Sequence, residues 1–210
     1  MWLNFLLALF IKTEAESTHY VECGLLKDSF IRNGDNRIVG GWQAHPHSIP
    51  WQVRLDLFNG DVFEGYCGGS LIRLQPGNQT RFVLTAAHCV TVYKNDRYYN
   101  RRPRNVEVLL GAHFSFYEEG REVVRVEKYN PRPYDHITME EDVALLYLRK
   151  PVTFTDRIMP VCLPQSYEPL PKDVPCYISG WGRIASGGIL SHTLQVVDVK
   201  ILKDGDCNRG

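Results

Sequence analysis

The sequence predicts an all-β protein, and three observations predict it. From Ile38 onward the apolar residues fall in short β-branched and aromatic runs separated by Gly, Pro and Asn, the spacing of a sandwich or barrel. No stretch sustains a period of 3.6 residues, so helix should be minor. Residues Pro151 to Pro164, "PVTFTDRIMPVCLP", are punctuated by proline and read as a connection between two β-rich units.

Taken in order, Met1 to Ile11 form a short apolar run followed by the small-residue context Thr13-Glu14-Ala15. Residues 1–15 are expected to be a signal peptide, too short to provide the ~20 apolar residues that cross a bilayer. Residues 16–37 are polar, carry Cys23 and read as an exposed tether. Strands are then expected in "IPWQVRLDLF", "GGSLIR", "RFVLTAA", "NVEVLLG", "EVVRVEKY" and "DVALLYL". Beyond the proline-rich connection, "PCYISGWGR" and "LQVVDVKIL" begin a second unit.

Composition narrows the function classes. A chain of 24.1 kDa with 44% hydrophobic residues can bury a sizeable core. Lys+Arg and Asp+Glu stand at 24 each, so bulk charge gives no reason to expect a nucleic-acid partner or an anionic membrane. The 6 cysteines are scattered with no C-x-x-C pair, which removes metal-ligand spacing and fits disulfides in an oxidising compartment. Sequence alone does not choose among their pairings. Asn78-Gln79-Thr80 is an N-glycosylation acceptor if the chain is secreted.

"FVLTAAHCV", Phe82 to Val90, places a histidine and a cysteine together at the end of an apolar run. Asp142 stands directly before "VALLYL", where an acidic residue is drawn toward the interior. With "RIVGG" (from Arg37), "CGGSLI" (from Cys67), "LTAAHC" (from Leu84), "DVALLYL" (from Asp142), "VCLP" (from Val161) and "SGWG" (from Ser179), these occur in the order of the trypsin-like serine proteases. The chain resembles that family from about Cys23 to Cys207, and the family's Ser-His-Asp triad is the established template for the residue roles.

The resemblance implies two antiparallel six-stranded barrels, the second incomplete here, and a secreted serine endopeptidase zymogen. Its segments would be a signal peptide (1–15), a propeptide (16–37) and a protease domain (38–210). His88 matches the general base and Asp142 the carboxylate that holds its tautomer. Arg37-Ile38 matches the activation cleavage point, implying an activating protease of tryptic preference. In the family the freed Ile38 amine forms a buried ion pair with an aspartate beside the nucleophile. Cys67 would pair with Cys89, and Cys23 with Cys162, tethering the propeptide. Protein or peptide substrates and protease inhibitors are the implied partners. No cofactor is expected. Glu122 fits one position of the family's calcium loop, but Ala112 stands where a carboxylate is usual, so no metal is expected either.

The nucleophile is the part not found. The template places it roughly 90 residues past the carboxylate, beyond Gly210, and "GDSGGP" does not occur in the sequence. Ser186 in "ASGG" lies too soon after "SGWG" to serve. The 210 residues are therefore expected to be cut short before the catalytic serine and inactive as they stand. The alternative is an inactive secreted homologue that acts by binding. Cys176 and Cys207 would pair with each other or stay free. His88 and Asp142 lie 54 positions apart against roughly 45 in the template. The surplus is assigned to Tyr93–Asn105, which carries Lys94, Arg97, Arg101, Arg102 and Arg104. This stretch reads as a solvated loop, with an exosite for a sulfated glycan or acidic partner as its functional alternative.

Overall fold

The structure is a computed structural model describing residues 22–26, 41–94, 97–131, 134–167, 169, 174–184 and 187–201. Its strands are β1 (Trp42–Gln43), β2 (Gln52–Asn59), β3 (Val62–Ile72), β4 (Gln79–Thr85), β5 (Thr91–Lys94), β6 (Arg97–Asn100), β7 (Val106–Leu110), β8 (Glu122–Pro131), β9 (Ala144–Thr153), β10 (Cys176–Gly180) and β11 (Gln195–Val199). Two 3-10 turns, Ala87–Val90 and Pro103–Asn105, supply the helical content of the described residues.

Strands β2, β3, β4, β9, β8 and β7 close, in that order, into a barrel whose neighbours are all antiparallel. Closure rests on period-2 patterning: Val53, Leu55 and Leu57 of β2 point to the same interior as Leu71, Val83, Val108, Leu146 and Leu148. Such an interior has no edge to protect.

The opposite face of β2 is buried as well, against expectation for an alternating strand. Gln52 and Arg54 are each 8% exposed. Arg54 holds Asp56 through two bonds of 2.7 and 2.9 Å, donates to the Ser115 carbonyl and lies 5.2 Å from the centre of the Tyr66 ring. Gln52 accepts a 2.6 Å hydrogen bond from Ser179 of β10. What covers this face is the second unit: β1, β11 and β10 form an open three-stranded sheet. Ala44, Ile49, Ala112, Trp181, Leu194 and Val196 make its smaller core. Trp181 donates its indole N–H to the His113 carbonyl at 2.9 Å, and its own carbonyl accepts from Tyr66 at 2.7 Å.

The expected strands are present, with three differences. The proline-punctuated connection begins later than its composition implied, because β9 runs through Pro151 to Thr153. Proline is tolerated there because the β4–β9 ladder is interrupted between the pairs Thr80–Val152 and Phe82–Tyr147, so that Pro151 has no ladder partner on β4. Two-residue β1 pairs with Val196 and Gln195 of β11, too short for any periodic signal. The basic stretch after the histidine folds back as the β5–β6 hairpin, whose mix of tyrosines and cations lacks an apolar alternation.

One arginine of that stretch is structural rather than solvated. Arg101 has a side chain only 9% exposed and bonds the Phe58 carbonyl at 2.8 Å and the Glu64 carboxylate at 2.6 Å. Arg101→Met keeps the stem but removes both bonds, and should destabilise the fold by about 1–3 kcal/mol. Exposed Arg102→Met should stay within about 0.5 kcal/mol of wild type. Urea midpoints at constant slope measure both, and equal costs would contradict the assignment.

Candidate active site

The barrel register brings the histidine and the aspartate together. Thr85, the last residue of β4, pairs with Ala144, the first of β9. His88 follows the one within a single turn and Asp142 precedes the other, so both stand at the same barrel end across 54 positions of sequence.

The chain fixes each side chain locally. His88 sits in the 3-10 turn Ala87–Val90, with Ala87, Cys89 and Val90 buried and only the histidine directed outward. The Thr91 hydroxyl donates to the His88 carbonyl at 3.2 Å, and Tyr129 of β8 reaches the Val90 carbonyl at 3.4 Å. Burial pushes the Tyr129 phenol up to about 12, against a smaller opposing effect of Arg101, so it remains a donor at any physiological pH. A disulfide between Cys67 of β3 and Cys89 closes over the turn, with Cα atoms 6.1 Å apart.

Asp142 is turned out of the strand direction. The Val143 N–H donates to the Glu141 carbonyl at 2.7 Å, making Asp142 the centre of a three-residue turn. Glu141 itself adopts φ of 55°, a left-handed conformation that costs L-residues energy. Upstream, the Asp135 carboxylate accepts from the Ile137 and Thr138 N–H groups at 2.7 and 3.2 Å, and these bonds hold its pKa below the ordinary value. Glu141→Val, β-branched at the strained position, is expected to lose about 1–2 kcal/mol of stability, whereas Glu141→Gly should be close to neutral. Thermal melts of the two variants check this; a harmless valine would show that the turn carries no strain.

The two groups meet through both carboxylate oxygens. Asp142 Oδ1 accepts from the His88 backbone N–H at 2.9 Å, and Oδ2 lies 2.8 Å from His88 Nδ1. Burial alone would raise the aspartate pKa. The bonds from the His88 backbone and ring, the His88 charge and the Ala87 N–H outweigh it, and the carboxyl lies below its usual range. Asp142 is thus an anion that accepts the Nδ1 proton, leaving the lone pair of the imidazole on Nε2. The His88 side chain is 56% exposed, so Nε2 is open to an incoming group. The Cys89 sulfur lies 3.5 Å from it.

The structure also places the other expected residues. Cys23 is bonded to Cys162 across 139 positions, and the Gly24 N–H donates to the Pro160 carbonyl at 2.9 Å. Asn78 is exposed in the turn before β4, while Thr80 of the same tripeptide is buried and donates to the Ile72 carbonyl at 2.7 Å. Arg37, Ile38, Ser186, Cys207 and residues 1–15 lie outside the described residues. Cys176 pairs with no cysteine among the described residues. For a metal, the donor set found among the described residues is Cys67, His88 and Cys89, but the disulfide consumes both sulfurs. Ala112 packs in the smaller core and offers no donor. No helix among the described residues is long and apolar enough to cross a membrane.

Sequence reasoning missed the supports rather than the pair. Nothing in the order of residues announces Tyr129 as a donor to the histidine turn, or Glu141 as the strained residue behind Asp142.

The family model described as Trypsin matches residues 38–210. Chymotrypsin-C of Rattus norvegicus is 34% identical over 187 residues, covering 89% of this chain and 64% of that protein. Chymotrypsin-C of Mus musculus is 35% identical over 185 residues, covering 86% and 63% respectively. The chain thus spans a little under two thirds of the length of these curated relatives. A solved structure described as "Structure of GrC" superposes with a TM-score of 0.67 at 31% identity, over 81% of this chain and 68% of that one. With a closed six-stranded barrel, a histidine–aspartate pair at its end and a family match across most of its length, the chain belongs to the trypsin family.

Proposed function

We propose that this chain carries the base and carboxylate of a secreted trypsin-like serine endopeptidase made as a zymogen. The observation that carries the reading is the double grip of Asp142 on His88, through backbone N–H and Nδ1. That arrangement fixes the tautomer in which Nε2 is a base. A serine hydroxyl presented to Nε2 would give up its proton as its oxygen attacks the substrate carbonyl carbon. The imidazolium, stabilised by Asp142, would pass that proton to the departing amine. Water would then release the acyl group by the same steps, returning the serine to its hydroxyl form. The serine and the oxyanion donors, which the family's template places beyond Gly210, would complete the site.

Zymogen control is supported by two findings. The family match begins at Ile38, directly after Arg37. The Cys23–Cys162 bridge would keep a cleaved propeptide attached. Exposed Asn78 suits a secreted glycoprotein. Protein or peptide substrates, an activator of tryptic preference and protease inhibitors are the corresponding partners.

The test uses protein secreted from its native source. Treatment with trypsin should expose an amino terminus beginning Ile-Val-Gly-Gly, as "RIVGG" requires, and the product should then react with a fluorophosphonate serine probe. Clean cleavage at Arg37 with no labelling of folded protein would overturn the endopeptidase reading in favour of a binding homologue.

A further inference from the structure

The basic residues that follow the histidine turn are not used by the histidine–aspartate pair, and three of the molecule's arginines share one groove. Between the turn Pro103–Asn105 and the outer surface of β8 and β9 runs an open groove of about 850 Å³, lined by Arg102, Pro103, Arg104, Val126, Glu127 and Arg149. Arg102, Arg104 and Arg149 are exposed. Beside them, Arg81 and Lys128 lie 5.6 and 5.0 Å from the centre of the Tyr147 ring on β9.

Partnering separates these arginines from several others. Arg54 is held by Asp56, Arg101 by Glu64, and Arg125 by Glu107. Arg121 donates to the Phe116 carbonyl and Arg157 to the Glu119 carbonyl. The guanidiniums of Arg102, Arg104 and Arg149 meet no carboxylate among the described residues, and the groove's own Glu127 lies 4.0 Å from Arg81. A protein with formal net charge +0 therefore concentrates unneutralised positive charge on one strip. Like charges so placed repel, and Glu127 is the one carboxylate among the residues lining the groove.

We infer that this groove is a docking site for a sulfated polysaccharide chain. Guanidinium forks match sulfate oxygens in pairs, and an array of them suits an anion repeated along a chain. An acidic protein would need an apolar anchor, the usual centre of a protein interface. The groove's apolar lining is too slight for that, since Val126 is only 4% exposed and Pro103 is small and half-buried. The groove runs from beside the histidine turn, where the Arg101 N–H donates to the Val90 carbonyl at 2.7 Å, to Arg149 on β9, about 16 Å along that strand from Ala144. The assignment does not depend on the endopeptidase reading.

Binding of the secreted chain to a defined heparin octasaccharide, measured by biolayer interferometry across a salt series, tests this directly. Wild type should bind at about 0.15 M salt, with log K falling linearly with log salt as counterions leave the polyanion. Arg102→Ser/Arg104→Ser/Arg149→Ser should weaken binding at least ~30-fold and flatten the salt slope by about 2 units. Lysine at the three positions should keep most of the slope while lowering affinity. The control Arg121→Ser/Arg125→Ser/Lys200→Ser removes equal formal charge from positions outside the groove and should change affinity less than ~3-fold. Equal losses in the two serine triples would reduce the effect to net charge and overturn the site. Wild type that ignores the octasaccharide, or binds polyglutamate more tightly, would overturn the glycan.

Discussion

In an active protease containing this chain, as proposed above, replacing Asp142 by asparagine should lower kcat about 10⁴-fold, the loss that this substitution brings in the family's template, with little change in fold. The geometry explains why an isosteric change costs so much. The carboxylate accepts two hydrogen bonds at once, from the His88 backbone N–H and from Nδ1, at 2.9 and 2.8 Å. Asparagine has one acceptor oxygen and one amide nitrogen that can only donate. If the oxygen serves the backbone N–H, the NH₂ group faces Nδ1 and selects the tautomer with the proton on Nε2, where a base is needed. If the oxygen serves Nδ1, the NH₂ group faces the backbone N–H and the turn is pushed apart. Steady-state kinetics with a peptide substrate, alongside circular dichroism, measure the effect. A fall of less than tenfold would mean that Asp142 does not orient the base.

The same contact has a pH signature. The Asp142 pKa is lowered in the folded state, so its contribution to stability is fully present above the unfolded value, near 3.8. It is lost as pH falls through the lower folded value. Asp142→Asn should remove this component, making the variant's stability less steep with pH in the acid limb. The contribution is small, because the pair lies partly in water and is screened there.

Much of this was legible in the sequence, and the exceptions share a cause. The barrel strands announce themselves because one face of each must be apolar: Val53, Leu55 and Leu57 alternate with Arg54 and Asp56. That same alternation hid the second interface. Arg54 and Asp56 look solvated, yet they are enclosed by the segment around Ser115 and by the sheet that carries Ser179. Polar residues satisfied by partners far away in sequence carry no local mark of burial. His88 and Asp142 were legible for the opposite reason, since the order of the flanking motifs names them without knowledge of the β4–β9 register that joins them. The role of Arg101 was invisible because its neighbours Arg102 and Arg104 have the same chemistry. Only the fold separates the one bonded to Glu64 from the two left facing the groove.

Removing the Cys67–Cys89 bridge by double substitution to alanine is expected to destabilise the protein by about 3 kcal/mol, within a range of roughly 2–5. The bridge spans 22 positions, and a loop of that size loses substantial closure entropy in the unfolded chain. The native state adds a second term. Cys89 is 4% exposed and Cys67 packs against the barrel core, so two alanines leave a void that the sulfurs filled. The effect on the site depends on which contacts hold the histidine turn. Thr85 of β4 donates to the Gly68 carbonyl at 2.7 Å, and Tyr129 and Thr91 bond the turn's carbonyls independently of the sulfur. These bonds should keep His88 facing Asp142 at ordinary temperature. The double variant is therefore expected to melt well below wild type, and an active protease containing this chain, as proposed above, should retain most of its activity when assayed in the cold. Urea unfolding gives the first quantity and low-temperature kinetics the second. Activity lost in step with the bridge, in protein still folded by circular dichroism, would show that the disulfide rather than the hydrogen-bonded turn positions the base.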